Sequence, residues 1–175
     1  MLGSQLTVTV REESAGDAPA IHEVNRLAFG QPDEADLVDR LRDGGFVIVS
    51  LVAVAAEGVV GHILFTEAPM VGPGRTIRGA ALAPMAVRPE RQRSGIGSAL
   101  VEKGIAMCRR RGVQAIVVVG HPDYYPRFGF SADLARRHLI APFAGPAFMA
   151  MELIPGVLAE GPHRVRYAPP FGIAD

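Results

Sequence analysis

The hydrophobic positions change period several times along the chain, and each change marks an element. Leu6 to Arg11 reads Leu-Thr-Val-Thr-Val-Arg, an alternation that predicts a strand. Between Asp17 and Phe29, Ile21, Val24, Leu27 and Ala28 recur at helical spacing, with Asp17 expected as the cap. Pro32-Asp33 restarts the chain into a second helix, about Glu34 to Arg42, whose Leu37, Val38 and Leu41 point inward. Gly44-Gly45 ends it. Val47 to Ala56 and Val59 to Thr66 are apolar strands joined at Glu57-Gly58, a hairpin signature. A turn-rich loop, Pro69 to Gly74, leads to a long strand, Thr76 to Val87. Pro84 cannot donate a ladder hydrogen bond, so that strand is expected to be irregular from Ala83 to Met85.

The next helix is predicted from Gly95 to Arg111, with Ile96, Leu100, Gly104, Met107 and Cys108 on one face and Gly112 as its stop. Ala115 to Val119 is wholly apolar, as in a strand covered on both faces. Tyr124 to Phe128 makes a helical turn or two, and Phe148 to Ile154 is a late strand. The segment from Pro155, rich in proline and glycine, is expected to lie over the surface. These elements make one domain over residues 1–154, with residues 155–175 packed on it as a tail.

Composition narrows the functions. The 175 residues carry 18 basic and 18 acidic side chains, a formal net charge of zero. Nucleic-acid and membrane-surface binders usually carry a basic excess, so neither is an expected partner. Cys108 is the single cysteine, which excludes an internal disulfide and a multi-cysteine zinc site. The five histidines show no metal-ligand spacing, and no metal is expected. The N-terminal stretch lacks the apolar segment of a signal peptide, and no run reaches the ~18 apolar residues of a membrane span. The expected location is cytoplasmic.

The chemistry starts at Gln92-Arg93-Ser94-Gly95-Ile96-Gly97. A strand, a glycine-rich turn and a helix start form an anion site, because the first helical amides lack acceptors and sit at the positive end of the dipole. The turn is not a Walker loop, since no Gly-Lys-Ser/Thr follows, and it lacks the third glycine of a dinucleotide fingerprint. Downstream stands Tyr124-Tyr125-Pro126-Arg127-Phe128-Gly129-Phe130.

With both motifs in this order, the chain resembles the GNAT superfamily of acyl-CoA-dependent N-acyltransferases. That family carries Gln/Arg-x-x-Gly-x-Gly/Ala after its fourth strand and Tyr-x-x-x-Gly-Phe after its fifth. Residues 82–89 and 124–130 and the ending Val165-Arg166-Tyr167 resemble in particular the YhbS-like branch. The resemblance implies an α/β (α+β) fold with a mixed, mostly antiparallel central sheet of six to seven strands, flanked by helices and splayed between strands four and five. It implies acetyl-CoA as cosubstrate, a small-molecule or peptide amine as partner, and acetyl transfer by direct attack through a tetrahedral intermediate. Gln92, Arg93, Ser94, Gly95, Ile96, Gly97 and Ser98 would hold the CoA pyrophosphate, and Met85, Ala86 and Val87 the pantetheine arm. An amide near Met85 or Ala86 would stabilise the oxyanion. Tyr125 matches the family's general acid, with Tyr124 as second choice. Asn25, Arg26 and Phe29 would fall near the acceptor pocket.

The fourth strand lacks the glutamate that many relatives use as general base. Glu67, His121 and Asp123 are the remaining candidates. That gap motivates an alternative reading, a non-catalytic acyl-CoA-binding sensor or partner protein. The late strand and the tail leave a homodimer open.

Overall fold

The computed structural model describes residues 7–143 and 145–174, so Leu6 of the first predicted strand lies outside the described residues. Strand β1 (Thr9–Glu12) precedes helices α1 (Ala18–Phe29) and α2 (Asp33–Asp43). Then come β2 (Val47–Ala55), β3 (Gly58–Glu67), β4 (Met70–Gly72), β5 (Arg75–Ile77) and β6 (Gly79–Val87). Helix α3 (Ile96–Arg110), β7 (Ala115–Val119), α4 (Ala132–His138), β8 (Leu139–Ile140), β9 (Phe148–Glu152) and β10 (His163–Val165) complete the chain.

The main sheet has six strands in the order β1-β2-β3-β6-β7-β9. All its pairings are antiparallel except β6 with β7. One face packs under α3, where Ile63, Phe65, Leu82, Ile116 and Val118 meet Ile96, Leu100, Ile105 and Cys108. The other face carries α1 and α2 over Val52, Leu64 and Ala86. Further along, Ala81, Val117 and Ala150 pack against residues of a second sheet.

That second sheet, ordered β5-β4-β10-β8, was not expected. The long strand read from Thr76 to Val87 is two strands. It breaks at Arg78, whose amide goes to the Gln114 side chain at 2.9 Å, and β5 joins β4 in the second sheet. Gly79 permits the crossing, since a Cβ there would sit 2.3 Å from the Ala68 carbonyl oxygen. The segment from Pro155 is likewise not laid over the surface. It supplies β10, which runs between β4 and β8, and it buries Leu158, His163 and Val165.

Asp17 stands at the N-cap position of α1, as expected, but its side chain makes no capping bond into that helix. Its carboxylate accepts from the Ser14 amide at 2.7 Å and from Arg11 at 2.6 Å, closing a single turn ahead of α1. On α1 itself, Ile21, Val24 and the polar Asn25 are the buried residues, while Leu27 and Ala28 are half-buried.

Gly104 faces the sheet, and a Cβ there would meet the fully buried Phe65 ring at 2.2 Å. Gly104→Ala gains about 1 kcal/mol of helix propensity but overpacks the core at a cost of about 1–3 kcal/mol. The ring is fully buried, so the upper end of that range applies. The expected net is a loss of about 1–2 kcal/mol, read as a Tm lower by roughly 2–8 °C. An unchanged or higher Tm would show that the helix can lift from the sheet.

Candidate functional site

The site begins where two neighbouring strands part. β6 and β7 are paired from Gly79↔Ala115 to Leu82↔Val118, and the pairing stops there. On its other side β6 stays bonded to β3 through Ile63↔Met85, His62↔Ala86 and Gly61↔Val87, after a register shift between Phe65 and Ile63. Residues 83–87 therefore keep one bonded edge and present the other, unpaired, to the slot. Pro84 stands in the shifted stretch, where a missing donor is tolerated. An open edge of this kind offers amides and carbonyls to an extended, peptide-like guest.

The slot runs into the glycine turn. Arg93 (φ 60°) and Gly95 (φ 85°) both take left-handed backbone, and Gly95 caps α3. Ala99 is the first amide of α3 to reach a carbonyl, that of Gly95, at 3.1 Å. The amides ahead of it are left for another acceptor. A cavity of about 440 Å³ sits over them. Met85, Val87, Gln92, Arg93, Gly95, Ile96, Gly97, Ser98 and Tyr124 line it, joined by Arg91 and Arg127. Ser94 turns away into a neighbouring hollow, its hydroxyl donating to the Arg91 carbonyl at 2.5 Å. The Ala86 side chain is buried on the opposite face, under α1. Ala86 pairs with His62 in phase with the Arg88 amide, which donates to the Val60 carbonyl, so the backbone groups of Ala86 turn to β3 while those of Met85 and Val87 face the slot.

The two tyrosines do different things. Tyr124 reaches the first turn of α3, with its hydroxyl 3.0 Å from Ser98 Oγ. The Arg127 guanidinium lies over its ring at 4.5 Å. Tyr125 turns inward beside the end of β7. Its ring fills the space that Gly120 leaves, since a Cβ on Gly120 would come within 2.3 Å of it. Phe128 and Phe130 enclose the ring. Burial, followed by the neighbouring Tyr124, pushes the Tyr125 phenol up to about 12.

Comparison with known proteins decides the family. The acetyltransferase (GNAT) domain family matches residues 9–132. The N-acetyltransferase YjhQ of Escherichia coli K12 is 41% identical over 132 residues, covering 74% of this chain and 73% of YjhQ. The chain belongs to the GNAT acetyltransferase family. Among solved structures, Escherichia coli YhbS in complex with CoA superposes with a TM-score of 0.88 at 30% identity, over 100% of this chain and 97% of that one. A GNAT acetyltransferase of Brucella melitensis in complex with acetyl-CoA gives a TM-score of 0.77 at 30% identity, over 95% and 99%.

Within this GNAT frame the three candidate bases separate. Glu67 is exposed and pairs with Ala80, at the closed end of β6. Ala80 and Met85 are five residues apart, roughly 16 Å along a strand, so Glu67 does not share the slot. His121 and Asp123 are exposed in the loop after β7, near the slot's mouth. The His121 carbonyl accepts the Tyr124 amide at 3.1 Å.

The sequence reading passed over a buried polar chain beneath α1. His62 is fully buried opposite Ala86, between Asn25 and Ser50. A histidine in an apolar strand gives one weak signal, its interruption of the run Val59-Val60-Gly61-His62-Ile63-Leu64. Among the described residues one group, His22, Asp36 and Asp39, brings possible metal ligands within 4.8 Å of one another. None of the three lines the cavity. No helix among the described residues is long and apolar enough to cross a membrane.

Proposed function

We propose that the protein transfers an acetyl group from acetyl-CoA to a primary amine by direct attack through a tetrahedral intermediate. The observation that carries this is the unpaired edge of β6 leading into the amide-floored cavity at the start of α3. The YhbS and Brucella structures, solved with CoA and acetyl-CoA, support CoA as the guest. In this reading the amides of residues 93–98 take the pyrophosphate, helped by the charges of Arg93 and Arg127. The pantetheine arm adds to the open edge at Met85, Ala86 and Val87. The thioester then lies toward Leu82 and Val118, where the strands part and where Tyr125 is seated beside Gly120.

The amine lone pair forms the N–C bond, and the carbonyl oxygen becomes an oxyanion held by the backbone amide of Met85, whose neighbour Ala86 is turned to β3. The C–S bond breaks and the sulfur takes the Tyr125 proton as it leaves. The nitrogen sheds one proton and the tyrosinate regains one through solvent, so an amine that enters neutral needs no dedicated carboxylate. This accounts for catalysis with Glu67 remote from the slot.

Incubation with acetyl-CoA and a panel of primary amines, with free thiol as readout, tests the reading. Thiol release with at least one amine is expected. Tight CoA binding without release for any amine would leave only a binding role.

The placement of CoA has its own test. A side chain on Gly97 would start 3.3 Å from the Tyr124 hydroxyl and grow into the cavity. Gly97→Leu is expected to weaken CoA binding by about 10–100-fold, or roughly 1.4–2.8 kcal/mol, measured by titration calorimetry. Unchanged affinity would put the pyrophosphate elsewhere.

A further inference from the structure

A second cavity, of about 550 Å³, lies apart from the one over the glycine turn. It sits between α4, β8 and the start of β9, with Ala132, Ala135, Leu139, Phe143 and Phe148 in its walls. Ala135, Leu139 and Phe148 share an apolar cluster with Ala81 and Val117, whereas Leu82 and Val118 pack toward α3. The cavity therefore belongs to the face of the main sheet turned away from α3. Its volume is that of a small-molecule site, about 300–1,000 Å³.

Its inner wall leads to the slot. Phe148 pairs with Val119, the residue after the one at which β6 and β7 part. The Gly120 amide donates to the Ala147 carbonyl at 2.9 Å, so Val119 and Phe148 form the non-hydrogen-bonded kind of pair, in which side chains stand closer. Val119 follows Val117 by two positions and points to the same face, where it is 49% exposed. Gly120 is also the residue against which the Tyr125 ring is seated. From Phe148 the rings continue through Phe143 and Tyr167 to Phe171, with centroids 5.6–5.9 Å apart. Phe171 packs in the same cluster as Ala86, under α1 and α2. The apolar lining thus runs from the β7 side of the slot to the β6 side, on the face opposite the α3 cavity.

The charges at the rim narrow the guest. Among the described residues that line the cavity, Asp133 is the one acid, and Arg136 and Arg137 both hold it. No free carboxylate is left there for a second cationic group.

We propose that this cavity receives the apolar end of the acceptor, so that the protein acetylates primary amines bearing an aliphatic or aromatic group and discriminates against polyamines. This rests on the acetyltransferase reading above. The amine nitrogen meets the thioester beside Val119, and the chain behind it crosses Val119 and Phe148 into the cavity. Neighbouring strands are about 5 Å apart, so a chain of a few carbons spans the step from β7 to β9.

Three amines of matched length test this: n-hexylamine, 5-aminopentanol and 1,5-diaminopentane, which end in a methyl, a hydroxyl and an ammonium. With acetyl-CoA and thiol release as readout, kcat/KM for n-hexylamine should exceed that for 5-aminopentanol by about tenfold or more, the scale of burying an unpaired hydroxyl. The diamine should be slower still. Ala132→Phe, which fills the cavity from its wall, should shrink the preference severalfold and leave the CoA dissociation constant within about twofold. Should that variant fail to fold, the methyl resonances of Val119 and Leu139 in CoA-loaded wild-type protein serve instead. They should move with N-hexylacetamide and not with N-(5-hydroxypentyl)acetamide at the same concentration. Equal rates for n-hexylamine and 5-aminopentanol, a faster diamine, a preference that survives in folded Ala132→Phe, or resonances that ignore N-hexylacetamide overturn the inference while acetylation stands. Thiol release with no amine at all, despite CoA binding, removes the acetyltransferase reading and this inference with it.

Discussion

Tyr125→Phe is expected to lower kcat by about 10²–10³-fold while leaving the CoA dissociation constant within about twofold. The substitution removes one oxygen from a ring that Gly120, Phe128 and Phe130 hold in place, so the aromatic packing survives. Among the described residues no hydrogen bond fixes that oxygen, which leaves it available to a departing sulfur. Burial raises the phenol to about 12, so it stays protonated throughout the neutral range. A phenol that weak would be a poor donor to a thiolate in water. In the slot the same apolar surroundings raise the thiolate's own proton affinity, which narrows the gap.

Tyr124→Phe gives the contrast. It removes the 3.0 Å contact with Ser98 at the phosphate end, so CoA affinity should fall and kcat should hold. Thiol-release kinetics with matched calorimetry separate the two. A Tyr125→Phe enzyme at full kcat beside an inactive Tyr124→Phe enzyme would reverse the roles.

The parts of the fold that were legible in the sequence are those with a long period or a forced residue. β2 and β3 are nine- and ten-residue apolar runs, and α3 repeats its buried face over four turns. Pro84 marked the irregular stretch of β6 because a proline in a central strand has few places to be. The glycine turn and the Tyr-x-x-x-Gly-Phe motif located the cavity for similar reasons of backbone and reach.

The second sheet was not legible. β4, β5 and β10 have three residues each and β8 has two, too few for a period to show. The pairing Arg164↔Val71 also joins segments far apart in the chain, and nothing local encodes it. The contact between Asn25 and His62 was not legible for another reason. A polar residue in a helix or strand usually marks the solvent face, but here α1 covers His62, and Asn25 Nδ2 meets the His62 ring underneath. Their contact joins positions 37 residues apart, which no local pattern encodes.

Lowering the pH from 7 to 4.5 is expected to cost about 2–3 kcal/mol of stability, most of it through His62. Burial first, and then the charge of Arg42, push the His62 pKa down to about 3. An unfolded chain returns it to about 6.5. The folded value lies below the unfolded one, so the unfolded state binds the proton first as pH falls. The contribution is fully present above about pH 6.5 and drains away between there and about 3, at about 1.4 kcal/mol per pH unit. His163, whose pKa burial also lowers, acts in the same direction. Asp17, held below the usual carboxylate range by Arg11, contributes only at lower pH, since its unfolded pKa is about 3.9. Glu23 and Glu57, whose pKa values are also lowered, begin to lose their share near pH 5, so the interval from 6.5 to about 5.5 isolates the histidines. Urea unfolding at pH 7, 6, 5 and 4.5 measures the slope, and His62→Gln should flatten its share. A flat profile in the wild-type protein would mean that His62 is charged in the fold. Its Nδ1 would then donate toward Asn25 rather than accept from it. A sloping profile keeps His62 neutral, held between Asn25 and Ser50 beneath α1.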